Sequence, residues 1–149
     1  MSEVLEKILD YPVIKQVNKR EYKLVEDYKT VLPCLDRIEI KKGFIYDGAS
    51  IPSVFWSLIG SPFTGEYTRP ALIHDALYCT HYYTKDETDT MFYMQMLACK
   101  VSEDKAMAIY YAVKFFGGGV FNNHNQESIK YNRKFVNVIN TVVEKGLMK

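Results

Sequence analysis

The sequence predicts an α+β fold, in which a small N-terminal antiparallel β-sheet is followed by a mainly helical half. Two observations predict it. Between Val13 and Asp47, short apolar runs follow the two-residue period of strands. From about Tyr67 onward, apolar residues recur at helical spacing, and polar capping residues separate the runs. The 149 residues contain no repeat, low-complexity tract or linker, so we expect a single domain over residues 1–149.

The strand signals lie in the first third of the chain. Residues 37–46 place Ile38 and Ile40 on one face, and a turn is expected at 41–43. A short helix is predicted ahead of the sheet, over residues 1–10. Three shorter runs complete the predicted sheet: 13–14, 22–25 and 31–35.

Capping residues and glycines divide the helical half into separate predicted helices. The first follows the turn at Ser50, which is expected to be its N-cap. Thr84 and Glu87 form the Thr-x-x-Glu pattern of a capping box, so a helix should start there. The glycines at 117–119 should end the helix before them. The predicted helices are 53–59, 70–83, 84–100, 102–116 and 127–144. The buried face predicted for the helix over 102–116 is Ala106, Ile109, Ala112, Val113 and Phe116.

The composition is that of a soluble globular protein, with 48% apolar residues, 25% charged residues and a net charge of +1. That charge argues neither for nor against a nucleic-acid partner. No apolar run approaches the roughly 20 residues that span a bilayer, so no transmembrane segment is expected. The first residues lack the apolar region of a signal peptide. Cys34, Cys79 and Cys99 have no CxxC spacing and favour a reducing cytoplasm.

The residues that carry chemistry concentrate on two of the predicted helices. His74 and Tyr78 lie one turn apart in an otherwise apolar helix. The short connection after it makes the next helix fold back antiparallel, which brings Asp89 toward His74. A buried carboxylate fixes the tautomer of an imidazole and leaves its other ring nitrogen to take a proton from water. We therefore predict a catalytic centre of His74, Asp89 and Tyr78, in which the Tyr78 hydroxyl holds the carboxylate.

Two further carboxylates are candidate metal ligands. Asp75 lies about 100° around the helix from His74, so it is better placed to bind a cation or to cap a loop. Asp47, in an Asp-Gly turn, is a second hard oxygen ligand, and nearby backbone carbonyls would complete a calcium-like shell. The alternative is that the whole polar group is a structural network. His81 and His124 are expected at the surface or in local hydrogen bonds.

Four motifs occur in order between residues 42 and 117. They are Gly43-Phe-Ile-Tyr-Asp-Gly-Ala-Ser-Ile-Pro52, His74-Asp-Ala-Leu-Tyr78, Thr88-Asp-Thr-Met-Phe92 and Ala112-Val-Lys-Phe-Phe-Gly117. The set resembles a family of small phage and prophage proteins catalogued as a domain of unknown function. The chain departs from that family at Tyr46, Thr88 and Lys114, where Thr, Ala and Arg are usual. The resemblance implies a viral or prophage origin and brings no established activity.

A second resemblance covers the helix pair alone. His74-Asp75-x-x-Tyr78 followed by Asp89-x-x-Phe92 is similar to the helix pair of secreted phospholipases of the A-two type. This resemblance implies that His74 is the general base for water and that Asp75 is a calcium ligand. It also implies that Tyr78 and Asp89 form the network behind the histidine. The chain departs from that family because no cysteine pair precedes His74 and no Gly-rich calcium loop of the expected pattern precedes the helix.

The leading hypothesis is a phage-encoded, phospholipase-like hydrolase of lipid or other esters, assisted by calcium. Water activated by His74 would attack the ester carbonyl, and the cation would stabilise the oxyanion. The alternative is a non-catalytic binding or virion-associated protein, or an inhibitor of a host defence factor, with a host or virion protein as its partner. The expected location is the host cytoplasm or, for a virion-associated protein, the particle.

Overall fold

Two small antiparallel sheets and a group of helices make up the part of the chain that the computed structural model describes, residues 11–48, 50–59, 63 and 65–140. The strands are β1 (Ile14–Gln16), β2 (Tyr22–Leu24), β3 (Tyr28–Val31), β4 (Arg37–Ile40), β5 (Ile45–Tyr46) and β6 (Val136–Ile139). The α-helices are α1 (Trp56–Ile59), α2 (Thr68–Tyr78), α3 (Lys85–Ala98), α4 (Glu103–Phe116), α5 (Gly118–Asn122) and α6 (Gln126–Asn132). Short 3-10 helices, Ser53–Phe55 and Gly65–Tyr67, precede α1 and α2. The α+β prediction is confirmed.

The strands form two sheets where the sequence predicted one. The first has the order β1-β2-β5 and the second the order β3-β4-β6. In the second sheet, β4 is central, and Ile38 and Ile40 lie opposite Val138 and Val136 of β6. Both isoleucines are buried, as their alternation predicts. The second sheet therefore joins strands that are almost 100 residues apart in the chain.

The helix predicted over 127–144 is present at its start and wrong in its extent. Helix α6 ends at Asn132, and the chain continues into β6, while residues 141–149 lie outside the described residues. The β-branched residues of β6 suit a strand, and its backbone pairs with β4. Val136 is completely buried there. The helix predicted over 1–10 also lies outside the described residues.

Helices α2 and α3 form the predicted pair, and α3 also packs against α4. The predicted capping box of α3 is confirmed, because the Thr84 hydroxyl accepts from the Glu87 N–H and the Glu87 carboxylate accepts from the Thr84 N–H. Helix α2 ends at Tyr78, earlier than predicted, because the backbone of His81 (φ 52°) cannot continue a helix. Phe116 is 66% exposed, so its predicted place on the buried face of α4 is wrong.

Helix α2 is the central element of the core. Every residue from Pro70 to Tyr78 is buried, which is the condition of a helix enclosed on all sides. Leu72 and Leu77 pack into the cluster that includes both sheets, while Ala71 packs with residues of α3 and α4. Any polar side chain on this helix must therefore find its partners inside the protein. Among the described helices, none combines the length and the apolarity that crossing a membrane requires.

Candidate active site

The predicted contact between His74 and Asp89 is present. His74 Nε2 lies 2.8 Å from Asp89 Oδ1, and the Tyr78 hydroxyl donates to the same oxygen at 2.6 Å. The imidazole also stacks on the ring of Phe92, with 4.3 Å between centroids, so its plane is held from the side. His74 and Asp89 are each 1% exposed. The structure thus brings the three predicted residues together; their catalytic role stays a prediction.

Lys85 completes this group, and the sequence analysis missed it. Its Nζ donates to Asp89 Oδ2 at 2.7 Å and to the carbonyl oxygen of Val113 at 2.9 Å. A lysine four residues before an aspartate in one helix is the signal that would have found it. Burial raises the pKa of Asp89, but hydrogen bonds from His74, Lys85 and Tyr78 outweigh burial and lower it. Asp89 is therefore a carboxylate that accepts from three side chains.

The second ring nitrogen of His74 contacts Ser50, which the sequence analysis predicted as a helix N-cap. The distance from His74 Nδ1 to Ser50 Oγ is 2.9 Å. The cap position of the following 3-10 helix is Pro52, and no side chain caps it. Ser50, His74 and Asp89 thus follow each other in the order nucleophile, base and orienting carboxylate. The ring is reversed relative to the common Ser-His-Asp arrangement, because Nδ1 rather than Nε2 faces the serine.

Asp75 holds the turn that carries Ser50. Its Oδ2 accepts from the Gly48 N–H at 2.8 Å, and its Oδ1 accepts from the Ser50 hydroxyl. Gly48 has a φ of 69°, a left-handed backbone that glycine adopts without strain. Asp75 therefore caps a loop, one of its two predicted roles. Its pKa is raised to about 7, chiefly by burial and also by Asp47, while the donors from Ser50 and Gly48 oppose the rise.

The Ser50 hydroxyl has one proton and two neighbours that can accept it. When it donates to an ionised Asp75, His74 Nδ1 must itself be a donor, and the ring is an imidazolium. When Asp75 is protonated and donates to Ser50, the hydroxyl can donate to Nδ1, and the ring is neutral. Burial lowers the pKa of His74 and raises that of Asp75, which favours the second arrangement. His74 is then a neutral base in contact with the Ser50 proton.

A cavity of about 180 Å³ lies beside Ser50 and Asp75. Tyr46 also lines it, and the Tyr46 hydroxyl is buried without a hydrogen-bond partner among the described protein atoms. Buried polar groups are rarely left unpaired, so we expect a ligand or water to accept from this hydroxyl. His74 is not among the described residues that line the cavity, so it reaches the space only through Ser50.

The remaining predicted residues lie around the same cavity or next to it. Asp47 and His124 both line it. Burial lowers the pKa of His124, His81 lowers it further and Asp47 opposes the change. His81 is half-buried, and its Nε2 lies 2.9 Å from the Phe121 carbonyl oxygen, 40 residues along the chain, so this contact is not the local hydrogen bond that was expected. His124 is a cavity residue, which its sequence context did not indicate.

The arrangement of Asp75 and Asp47 does not fit a calcium ion. Both oxygens of Asp75 are already in hydrogen bonds, with the Gly48 N–H and the Ser50 hydroxyl, and a cation would have to displace these partners. No group of three or more His, Cys, Asp or Glu side chains suited to a metal occurs within the described part of the chain. Calcium takes about six to eight oxygen ligands, so backbone carbonyls would have to supply most of them. The calcium prediction stays a prediction.

A family model described as "Protein of unknown function (DUF1353)" matches residues 22–113. The chain belongs to this family. The matched span runs from the start of β2 into α4, so it contains Ser50, His74, Asp75 and Asp89. The resemblance to a domain of unknown function is confirmed, and the family description assigns no activity.

Two curated relatives come from Sinorhizobium fredii (strain NBRC 101917 / NGR234). "Uncharacterized protein y4jT" is 44% identical over 78 residues, which are 52% of this chain and 23% of y4jT. "Uncharacterized protein y4iH" is 44% identical over 71 residues, 48% of this chain and 30% of y4iH. The matches thus cover less than a third of each relative's length. No solved structure matches the chain.

Proposed function

We propose that this DUF1353 protein is a hydrolase of carboxylic esters, in which Ser50 is the nucleophile, His74 the general base and Asp89 the residue that orients it. One observation carries the proposal. Ser50 Oγ, the two nitrogens of His74 and the Asp89 carboxylate form a continuous chain of contacts of 2.9 and 2.8 Å, and Ser50 ends that chain at a cavity.

The reaction uses groups that already touch. Ser50 Oγ forms a bond to the ester carbonyl carbon while its proton passes to His74 Nδ1, and Asp89 stabilises the imidazolium. Tyr46 lines the cavity and its hydroxyl has no partner among the described atoms, so in this proposal it donates to the carbonyl oxygen as that oxygen becomes negative. When the carbon–oxygen bond to the alcohol breaks, His74 gives its proton to the leaving oxygen. Water then attacks the acyl group on Ser50, its proton passes through His74 back to Ser50, and the carboxylic acid leaves.

The same contacts also support the phospholipase-like version, in which water rather than Ser50 attacks the carbonyl. The two versions share His74 and Asp89 and differ in the role of Ser50. In the water version, Ser50 only occupies the position that the water would need next to His74 Nδ1. Replacing Ser50 therefore separates the two mechanisms.

The test is hydrolysis of 4-nitrophenyl butyrate and of phospholipid vesicles by the wild type, Ser50→Ala and His74→Ala. Ser57→Ala is the matched control, because Ser57 is exposed and its hydroxyl donates to the local carbonyl of Val54. We expect kcat to fall by about 10³-fold or more in the Ser50 and His74 variants and to stay unchanged in the control. Activity retained in Ser50→Ala but lost in His74→Ala would select the water version. Activity retained in both variants would show that this site does not catalyse the hydrolysis.

The same assay also tests the role of calcium. Rates measured with added calcium and with a chelator test whether Asp75 and Asp47 hold a cation during turnover. A rate that falls on chelation, and that is restored by calcium in the wild type but not in Asp75→Asn, would support the predicted ligands. An unchanged rate would remove calcium from the mechanism and leave the serine chemistry intact.

A non-catalytic role is the second candidate, and one observation favours it. The His74 side chain has no exposed surface, and each oxygen of Asp89 already accepts a hydrogen bond, as expected for a network that rigidifies the helix pair. The partner would then be a host or virion protein, including a host defence factor. This role predicts no hydrolysis by the wild type and a lower melting temperature for His74→Ala.

Phage or prophage origin, and location in the host cytoplasm or the virion, rest on the four-motif resemblance. A gene that lies among genes for virion or lysis proteins supports this origin. A gene that is found only in bacterial operons away from any prophage would contradict it.

A further inference from the structure

A second cavity, of about 530 Å³, shares Asp47 with the cavity beside Ser50. It is lined by Lys19, Arg20, Asp47, Ile51, Ser53 and Trp56. Ile51 directly follows Ser50 in sequence, so one short segment of the chain contributes residues to both cavities. A substrate whose ester group is held at Ser50 would reach this second cavity with a neighbouring group.

The positive charge in this cavity is held on an ordered turn. Lys19 and Arg20 lie between β1 and β2, where the Asn18 side chain accepts from the N–H groups of Arg20 and Glu21, both at 2.9 Å. The Val17 N–H closes the same turn by donating to the Glu21 carbonyl at 2.9 Å. The backbone that carries the two cations is therefore ordered, and their side chains are exposed.

The charges in the cavity do not cancel. Lys19 and Arg20 face a single carboxylate, that of Asp47, among the described lining residues. Neither cation forms an ion pair with a carboxylate of the described part of the chain. A guanidinium and an ammonium group that outnumber the carboxylates among the described lining residues favour a phosphate or carboxylate ligand.

Trp56 also lines this cavity, and two contacts hold its ring. Its Nε1 donates to the Ile51 carbonyl at 3.0 Å, and its ring meets that of Phe63 edge-on, with 5.9 Å between centroids. It is partly exposed and is the one tryptophan of the sequence. Tryptophan emission therefore comes from a residue that lines this cavity.

We infer that this second cavity binds an anionic group, a phosphate or a carboxylate, carried by the substrate next to its ester bond. That the bound anion belongs to a substrate rests on the proposed function. The binding test does not depend on that function. The substrate class is then an anionic ester rather than a neutral one. Lys19 and Arg20 determine specificity for it and take no part in bond breaking.

The binding test follows Trp56 emission at constant ionic strength. The soluble probes are glycerol 3-phosphate and succinate, with glycerol as the neutral control. Vesicles of phosphatidylglycerol or of phosphatidylcholine distinguish an anionic lipid headgroup from a soluble anion. We expect a saturable emission change with anionic probes, soluble or vesicular, and none with neutral glycerol.

Two double variants make the test specific. In Lys19→Ala/Arg20→Ala, we expect about tenfold weaker binding of the anionic probes. Lys15→Ala/Lys23→Ala is the matched control, because it removes the same charge from paired positions of the same hairpin that line a different cavity. Equal binding by both double variants, equal responses to glycerol and glycerol 3-phosphate, or no response to any anionic probe would overturn the inference.

A kinetic comparison separates this inference from the proposed function. Mono-4-nitrophenyl succinate carries a carboxylate, while 4-nitrophenyl butyrate is neutral and similar in size. Lys19→Ala/Arg20→Ala should raise KM about tenfold for the succinate ester and leave both kcat and the butyrate values unchanged. Ser50-dependent hydrolysis without this preference would overturn the anion site alone. Trp56 binding without any hydrolysis would overturn the proposed function alone.

Discussion

Asp89 and Asp75 are buried carboxylates on neighbouring helices, and their surroundings are opposite. Asp89 accepts from His74, Tyr78 and Lys85, and these donors outweigh burial and keep it ionised. Asp75 is hydrogen-bonded to one backbone N–H and one hydroxyl, and its pKa is raised to about 7, chiefly by burial. Asp89 is therefore held in its ionised form, whereas the charge of Asp75 depends on pH. Ser50 and His74 lie between the two carboxylates. The proposed base, His74, is therefore held by the ionised Asp89 and lies near Asp75, whose charge changes with pH.

The two environments give opposite dependences of stability on pH. The pKa of Asp89 is lowered, and that of His74 is lowered chiefly by burial, so their contributions are present at high pH and are lost as pH falls. The pKa of Asp75 is raised from 3.8 to about 7, so its contribution is present below pH 3.8 and is lost as pH rises through 7. The following variants each change a group in one of these two environments.

Asp89→Ala has the largest expected effect. It leaves the Lys85 ammonium without its carboxylate partner and the Tyr78 hydroxyl without its acceptor, which costs about 3–5 kcal/mol of the free energy of unfolding. Urea unfolding measures it, with Asp86→Ala as the control, because Asp86 is an exposed acid in the first turn of the same helix. The control should cost less than about 1 kcal/mol. A loss as small as this in Asp89→Ala would show that the network contributes little. A single domain also predicts one cooperative transition.

Asp75→Asn tests whether the charge of Asp75, and with it the stability of the protein, depends on pH. From pH 5 to pH 8, the Asp75 contribution to the wild type should fall by about 2–3 kcal/mol, and asparagine does not titrate. The free energy of unfolding of the variant relative to the wild type should therefore rise by that amount over this range. The measurement is urea unfolding at several pH values in buffer that contains a chelator. A difference that is the same at pH 5 and pH 8 would mean that Asp75 does not change its charge there.

The smallest effects on stability come from two tyrosines that differ in whether the hydroxyl is paired. Tyr78→Phe removes a hydrogen bond to a carboxylate and should cost about 1.5 kcal/mol or more. Tyr46→Phe removes a hydroxyl that has no partner among the described atoms, so its stability should change by less than about 0.5 kcal/mol. Only Tyr46→Phe should lower kcat without lowering stability, by about tenfold or more. Equal losses of stability in the two variants would contradict the assignment of one hydroxyl as paired and the other as unpaired.

The sequence was sufficient to predict the parts of the site that depend on local spacing. His74 and Tyr78 lie one turn apart, and the Thr84 capping box sets the start of the helix that carries Asp89. Both signals act within about four residues, where helix geometry determines which side chains meet. The contact between His74 and Asp89 followed from the short connection between the two helices.

The parts that could not be predicted depend on pairing between distant segments. Ser50 meets His74 across 24 residues of sequence, and nothing in the local Asp-Gly turn indicates which helix its hydroxyl will face. Strand β6 was predicted as a helix because its apolar residues also fit helical spacing, and its pairing with β4 decides the outcome. The cavity residue His124 and the cations at positions 19 and 20 belong to the same class, because tertiary packing alone brings them to the site.

The central claim is that His74 and Asp89 activate the Ser50 hydroxyl. It is tested most directly by reaction with a fluorophosphonate, in which the serine oxygen bonds to phosphorus and fluoride leaves. Intact mass and peptide mapping should show one adduct, on Ser50, in the wild type. The adduct should be absent from Ser50→Ala and form much more slowly in His74→Ala, while the exposed Ser57→Ala control is labelled like the wild type. A folded wild type that stays unlabelled, or that is labelled equally in Ser50→Ala, would contradict the account.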